Sequence, residues 1–136
     1  MSEERRGYIL RIVRDDWVER VFNERRYYSG VSRRWRRGDI ILLAKGTEVG
    51  DSFLGYGVVE KAEEMWELPP EERRFASRHG WRWALTLNPL FRFERPLPVK
   101  ETLLAEDPRR GRLLHGATLT EEEVDAILEA AEDYQG

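Results

Sequence analysis

The sequence has no cysteine and only two histidines, His79 and His115. The first absence excludes thiol nucleophiles, disulfide frameworks and thiolate metal sites. Two imidazoles are too few for a mostly histidine metal site, so neither metal nor cofactor is expected. Asparagine and glutamine together number three (Asn23, Asn88 and Gln135) against 36% charged residues. Many charges and few thermolabile side chains point to a heat-adapted source. No run approaches the roughly 18 apolar residues of a membrane span, and the start MSEERRG has no apolar signal-peptide core. A soluble, cytoplasmic protein without a membrane partner is the expectation. No Ser-His-Asp arrangement, phosphate loop or recognisable carboxylate pair is found, so no catalytic residue is nominated.

The 136 residues suit one domain, 1–136, and 40% apolar with 11% aromatic residues supply a packed core. Twenty of the 23 basic residues are arginine, which binds phosphate bidentately and stacks on bases. The net charge of −3 is unevenly spread. Arg20 to Gly46 carries eight basic and two acidic residues, for +6, whereas Ala117 to Gly136 carries seven acidic residues and no basic one. Binding responds to local potential within a Debye length of about 8–10 Å, so an acidic average does not exclude nucleic acid. Pairing of the two ends with each other is the alternative use of these charges.

Gly7 to Val13 reads as a first strand. Asp15 or Asp16 caps a helix in which Trp17, Val18, Val21 and Phe22 share a face, fading near Arg25 before a turn at Tyr28-Ser29-Gly30. Gly38-Asp39 opens Ile40 to Ala44, five apolar residues expected in a strand buried on both faces. Lys45 to Asp51 reads as a polar loop and Phe53 to Glu60 as the next strand. Gly55 and Gly57 share one face there and leave room for something to approach the backbone. Pro69-Pro70 starts a short helix. Trp81, Trp83, Leu85 and Leu87 alternate with smaller or polar residues, and Phe91 and Phe93 follow Asn88-Pro89, as a hairpin or one bent strand. Thr120 and Glu123 form a capping box before a helix with Val124, Ile127, Leu128 and Ala131 on its apolar face. Mostly strands, with helices after the first strand and at the end, give an α+β mixed barrel.

Ser32 to Arg37 places Trp35 among four arginines, Arg33, Arg34, Arg36 and Arg37. Arginines neutralise phosphates while an indole stacks on a base. Alternatively Trp35 covers the barrel beneath arginine stems. Trp81 and Trp83 suit core packing for at least one of the pair, and Tyr56 lines a pocket or fills the core.

The order of these features resembles the PUA-like superfamily, and within it EVE-type domains, relatives of YTH and ASCH domains. The resemblance rests on Arg14-Asp15-Asp16-Trp17, Tyr28-Ser29-Gly30-Val31, Arg37 to Leu43, Leu54 to Glu60 and His115 to Glu123. It implies a PUA-like mixed β pseudo-barrel with flanking helices. It also implies a pocket for a base, often modified, flipped from RNA or DNA, with an aromatic residue near Tyr28-Ser29-Gly30, where this chain has Tyr27 and Tyr28. The expected nucleic-acid-binding residues are Tyr27, Tyr28, Ser29, Arg33, Arg34, Trp35, Arg36, Arg37, Lys45, Tyr56 and Trp83. Two rivals remain. ASCH-like amidohydrolases acting on modified nucleosides use a lysine, a threonine and a glutamate, for which this chain offers Lys45, Thr47 and Glu48. A protein-interaction module would use the acidic last helix.

Overall fold

The computed structural model describes residues 6–109 and 111–135. Six strands form one curled sheet: β1 (Gly7–Arg11), β2 (Arg26–Ser29), β3 (Ile40–Thr47), β4 (Gly50–Glu64), β5 (Trp83–Pro98) and β6 (Ala117–Leu119), in the spatial order β2-β5-β4-β3-β1-β6. Only β1 and β3 run parallel, joined by α1 (Asp15–Glu24), β2 and a basic loop. The other pairs are antiparallel. α2 (Pro70–Arg78) lies between β4 and β5, and α3 (Glu121–Gln135) ends the chain.

The apolar run of β3 is explained by burial on both faces. Side chains of a strand alternate between faces. Ile41 and Leu43 join Tyr8, Leu10, Val18, Val21, Tyr27 and Leu85 beneath α1. Ile40, Leu42 and Ala44 join Ile9, Phe53, Val124, Ile127 and Ala131 beneath α3. α3 begins at the expected capping box: the Glu123 amide donates to Thr120 Oγ1 at 3.1 Å, and the Thr120 amide to Glu123 Oε1 at 2.9 Å. α1 has no side-chain cap; Asp15 and Asp16 occupy its first turn instead, where carboxylates favour the helix dipole.

Three elements differ from the sequence reading. Tyr28-Ser29 is not a turn but the end of β2, whose four residues alternate half-buried and buried against β5. The segment is too short for its alternation to stand out. Lys45 to Asp51 is not an open loop but the tip of the β3–β4 hairpin, with Lys45 opposite Ser52 and Thr47 opposite Gly50. Trp81 precedes β5, its amide held by the Ala76 carbonyl at 2.9 Å after α2. Trp83 to Pro98 is one bent strand containing the cis Asn88-Pro89 bond.

The space at Gly55 belongs to the sheet and not to a ligand. A Cβ there would lie 2.1 Å from the Phe91 carbonyl oxygen, where β5 crosses closely at an irregular register. At Gly57 the neighbours are Leu87 and Leu90 side chains.

Candidate functional site

β2 is an edge strand, and among the described residues it pairs with β5 alone. Its other edge faces the end of β1 across a seam. One hydrogen bond spans that seam, from the buried Tyr27 hydroxyl to the Arg11 carbonyl at 2.6 Å. Burial pushes the Tyr27 hydroxyl pKa up, so the group stays a neutral donor. Beside this bond the seam opens into a cavity of about 380 Å³, within the range of small-ligand sites. Residues 11–14 form one wall, β2 and Gly30 a second, and α1 a third through Trp17, Arg20, Val21 and Glu24 at helical spacing.

The cavity has an aromatic corner. Tyr28 and Trp81 are nearly parallel, with ring centroids 5.6 Å apart and planes at 12°. Trp17 stands across Trp81 at 83°, with centroids 5.3 Å apart. Phe75 and His79 of the α2 end pack behind, His79 stacked on Trp81 at 4.4 Å. Val13, 79% exposed, lies at the mouth.

Four arginines line the cavity, and each has a carboxylate partner. Arg11 binds Asp51 through two nitrogens at 2.9 and 3.1 Å, and Arg14 binds Asp16 at 2.7 Å. Arg20 reaches Glu24 at 2.7 Å while its guanidinium lies 5.2 Å from the Trp17 ring centroid. Arg26 meets Glu72 at 2.6 Å and Glu63 at 3.2 Å. Glu72 also accepts the Tyr28 hydroxyl at 2.6 Å. Burial, then this carboxylate, raises the Tyr28 pKa. A cavity with apolar walls and neutralised cations suits a neutral planar group better than an anion.

His115 adds a polar group. Its Nδ1 accepts the Arg11 amide at 3.0 Å, which leaves the ring proton on Nε2 as a donor. Burial, and then the Arg11 charge, lowers its pKa and favours this neutral form.

Of the residues expected from sequence, Tyr27, Tyr28 and Ser29 come together at this cavity. The basic loop leaves from its lip at Gly30. Ser29 Oγ accepts the Val31 amide at 2.9 Å at the loop's start, and buried Asp39 accepts the Arg36 amide at 2.8 Å at its end. Arg33 donates to the Gly116 carbonyl at 2.7 Å, next to His115. Arg34 and Arg37 are exposed, and Arg36 is half-buried. The structure places the rest elsewhere. Trp35 is 6% exposed in the core, 4.9 Å from the Tyr8 ring, so its indole is not presented to a base. Lys45 Nζ lies 3.1 Å from Asp15, outside the cavity lining. Tyr56 packs with Phe91 and Phe93 against α3. Trp83 opposes Ser29 in the sheet and lines a separate cleft.

Among the cavity residues absent from the expected set, Trp17, Trp81 and His115 are the ones the proposed contacts use. Trp17 shares a helix face with core valines, and Trp81 shares a strand-like alternation with Trp83, in which at least one of the pair reads as core. The available signal was position: Trp17 and His115 lie within the segments that carry the family resemblance. Among the described residues, no group of three or more His, Asp or Glu side chains could hold a metal ion. No helix among them is long and apolar enough to cross a membrane.

No protein-family model matches the chain, and no curated protein matches it by sequence. Solved structures match by fold. An ASCH protein from Zymomonas mobilis aligns with a TM-score of 0.64 and 12% identity, over 90% of this chain and 94% of its own. A YTH domain from Zygosaccharomyces rouxii, solved in complex with N6-methyladenosine RNA, gives 0.62 and 13%, over 96% and 88%. A hypothetical protein from Leishmania major gives 0.67 and 13% over the whole of both chains. The fold is therefore the PUA-like α+β pseudo-barrel, the fold that these ASCH and YTH structures share.

Proposed function

We propose that the domain binds nucleic acid, RNA or DNA, without catalysing a reaction, and takes one unpaired base into the seam cavity. A flipped base is held by stacking against aromatic walls and by hydrogen bonds to its edge. Trp17, Tyr28 and Trp81 supply the walls, and the His115 Nε2–H and the free edge of β2 supply polar contacts. Arg33, Arg34 and Arg37 then meet the phosphates as the strand leaves over the lip. The observation that carries this reading is an aromatic cavity of about 380 Å³ whose own arginines are neutralised, opening beside a loop that exposes Arg33, Arg34 and Arg37. The N6-methyladenosine RNA bound by the YTH domain supports a modified base as one ligand to test.

Binding of short single-stranded RNA and DNA, with and without base methylation, tests the proposal across a salt series. Stacking on an aromatic side chain contributes about 1–3 kcal/mol per base. Trp17→Ala therefore weakens binding about 5- to 150-fold and leaves the salt dependence unchanged. Arg33→Ala with Arg34→Ala flattens the slope by about 0.7 per lost single-strand phosphate contact. Affinities equal to the parent's in both variants contradict the proposal.

A further inference from the structure

Trp66 is 68% exposed, although a large aromatic side chain is normally more buried. It is nevertheless held in place. Its indole Nε1–H donates to the Glu64 carboxylate. The Glu64 amide donates to Glu67 Oε2 at 2.7 Å and closes the single 3₁₀ turn Met65–Glu67. Arg73 from α2 donates to both the Trp66 and the Leu68 carbonyls at 3.1 Å. An exposed ring whose indole N–H is bonded and whose backbone is tied to α2 loses little freedom when something stacks on it.

Trp66 borders a cleft of about 260 Å³ with Ser32, Glu64, Met65, Arg82 and Trp83. This cleft adjoins the seam cavity through β2. Ser29 opposes Trp83, and the Arg82 amide donates to the Ser29 carbonyl at 3.0 Å. Gly30 lines the cavity and Ser32 lines the cleft. Only Val31 stands between them, so the two positions lie at most about 7 Å apart along the chain. Ser32 is followed by Arg33 and Arg34, so the cation-bearing loop runs along the same route.

We propose that Trp66 is the stacking platform for a second base of the same strand, next to the one in the seam cavity. The inference rests on the proposed function above and extends it from one nucleotide to at least two. Arg82 lines the cleft beside that base, and Arg33 and Arg34 follow the backbone between the two sites. The ligand class is single-stranded nucleic acid, splayed so that neighbouring bases enter separate sites.

Trp66→Ala and Trp66→Phe, compared with the parent, test this against a mononucleotide 5′-phosphate and oligonucleotides of three and six nucleotides carrying the same base. NMR titration reads the weak complexes. Trp66→Ala is expected to weaken oligonucleotide binding about 5- to 150-fold while mononucleotide binding stays at the parent value. Trp66→Phe keeps a ring and recovers most of the loss. If the parent binds both ligands and Trp66→Ala binds the oligonucleotides equally well, this inference fails and the cavity reading stands. An equal loss for mononucleotide and oligonucleotide also overturns it, because Trp66 then acts through the fold. A parent that binds a protein partner through Trp66 and no oligonucleotide overturns both proposals.

Discussion

His115 shows how one residue's surroundings set its chemistry. With Nδ1 occupied by the Arg11 amide and its pKa lowered by burial and then by Arg11, it stays neutral in the folded chain to a lower pH than in the unfolded one. The unfolded chain takes up the proton near the ordinary value of about 6.5. The associated stability is therefore complete above that value and is lost as pH falls through it toward the lowered folded value. Urea unfolding at about pH 7.5 and about pH 5.5 should show a smaller loss of stability in His115→Gln than in the parent. Equal losses in the two proteins contradict the assignment. Asp39 has the opposite sign: burial raises its pKa, so its contribution improves on further acidification. At this scale Tyr27, Tyr28 and Ser29 line the cavity, and the sequence marked them because two tyrosines precede a Ser-Gly pair at the position the family resemblance implies. Trp35 was misleading. Arginine on both sides suggests a surface residue, yet its ring packs under the loop with Nε1 buried and unpaired. Sequence spacing does not say which of six loop residues turns inward.

At the scale of elements, the close passage of β5 over β4 is the tightest constraint. Gly55 lies where a Cβ would meet the Phe91 carbonyl oxygen at 2.1 Å and the Arg92 Cα at 3.0 Å, both backbone atoms that cannot rotate away. Gly55→Ala must separate the strands, and overpacking of this kind costs about 1–3 kcal/mol, with contact against backbone toward the upper end. Denaturant unfolding should show that loss, with a milder one for Gly57→Ala, whose neighbours are mostly leucine side chains. A loss below about 1 kcal/mol at Gly55 would mean that the strands are not so closely spaced. Two glycines at spacing two announced a close approach in the sequence. They did not say whether a strand or a ligand makes it, since both leave the same glycine pattern. The long strands and α3 were legible because alternation and capping are local. β2 was not, because four residues carry too little alternation and its partner in β5 is distant in sequence.

Across the whole molecule, the charge asymmetry of the sequence resolves into a specific arrangement. Arg20, Arg26 and Lys45 are engaged by Glu24, by Glu72 and Glu63, and by Asp15. The cationic character of the +6 segment is left mainly to the loop between β2 and β3. The fold order was legible because the apolar run of β3 requires cover on both faces, and the helices after β1 and at the chain end each carry an apolar face to provide it. The cavity was not, because it forms where the sheet fails to close and where Trp17, Tyr28 and Trp81 arrive from α1, β2 and the link before β5. The five tryptophans then serve as reporters of the central claim. Trp17 and Trp81 line the cavity, Trp66 and Trp83 line the neighbouring cleft, and Trp35 is in the core. The most direct test is an NMR titration of the indole N–H resonances with a short single-stranded oligonucleotide. A base in the seam cavity shifts Trp17 and Trp81 most and leaves Trp35 unmoved. Saturable binding that leaves Trp17 and Trp81 in place would contradict the account.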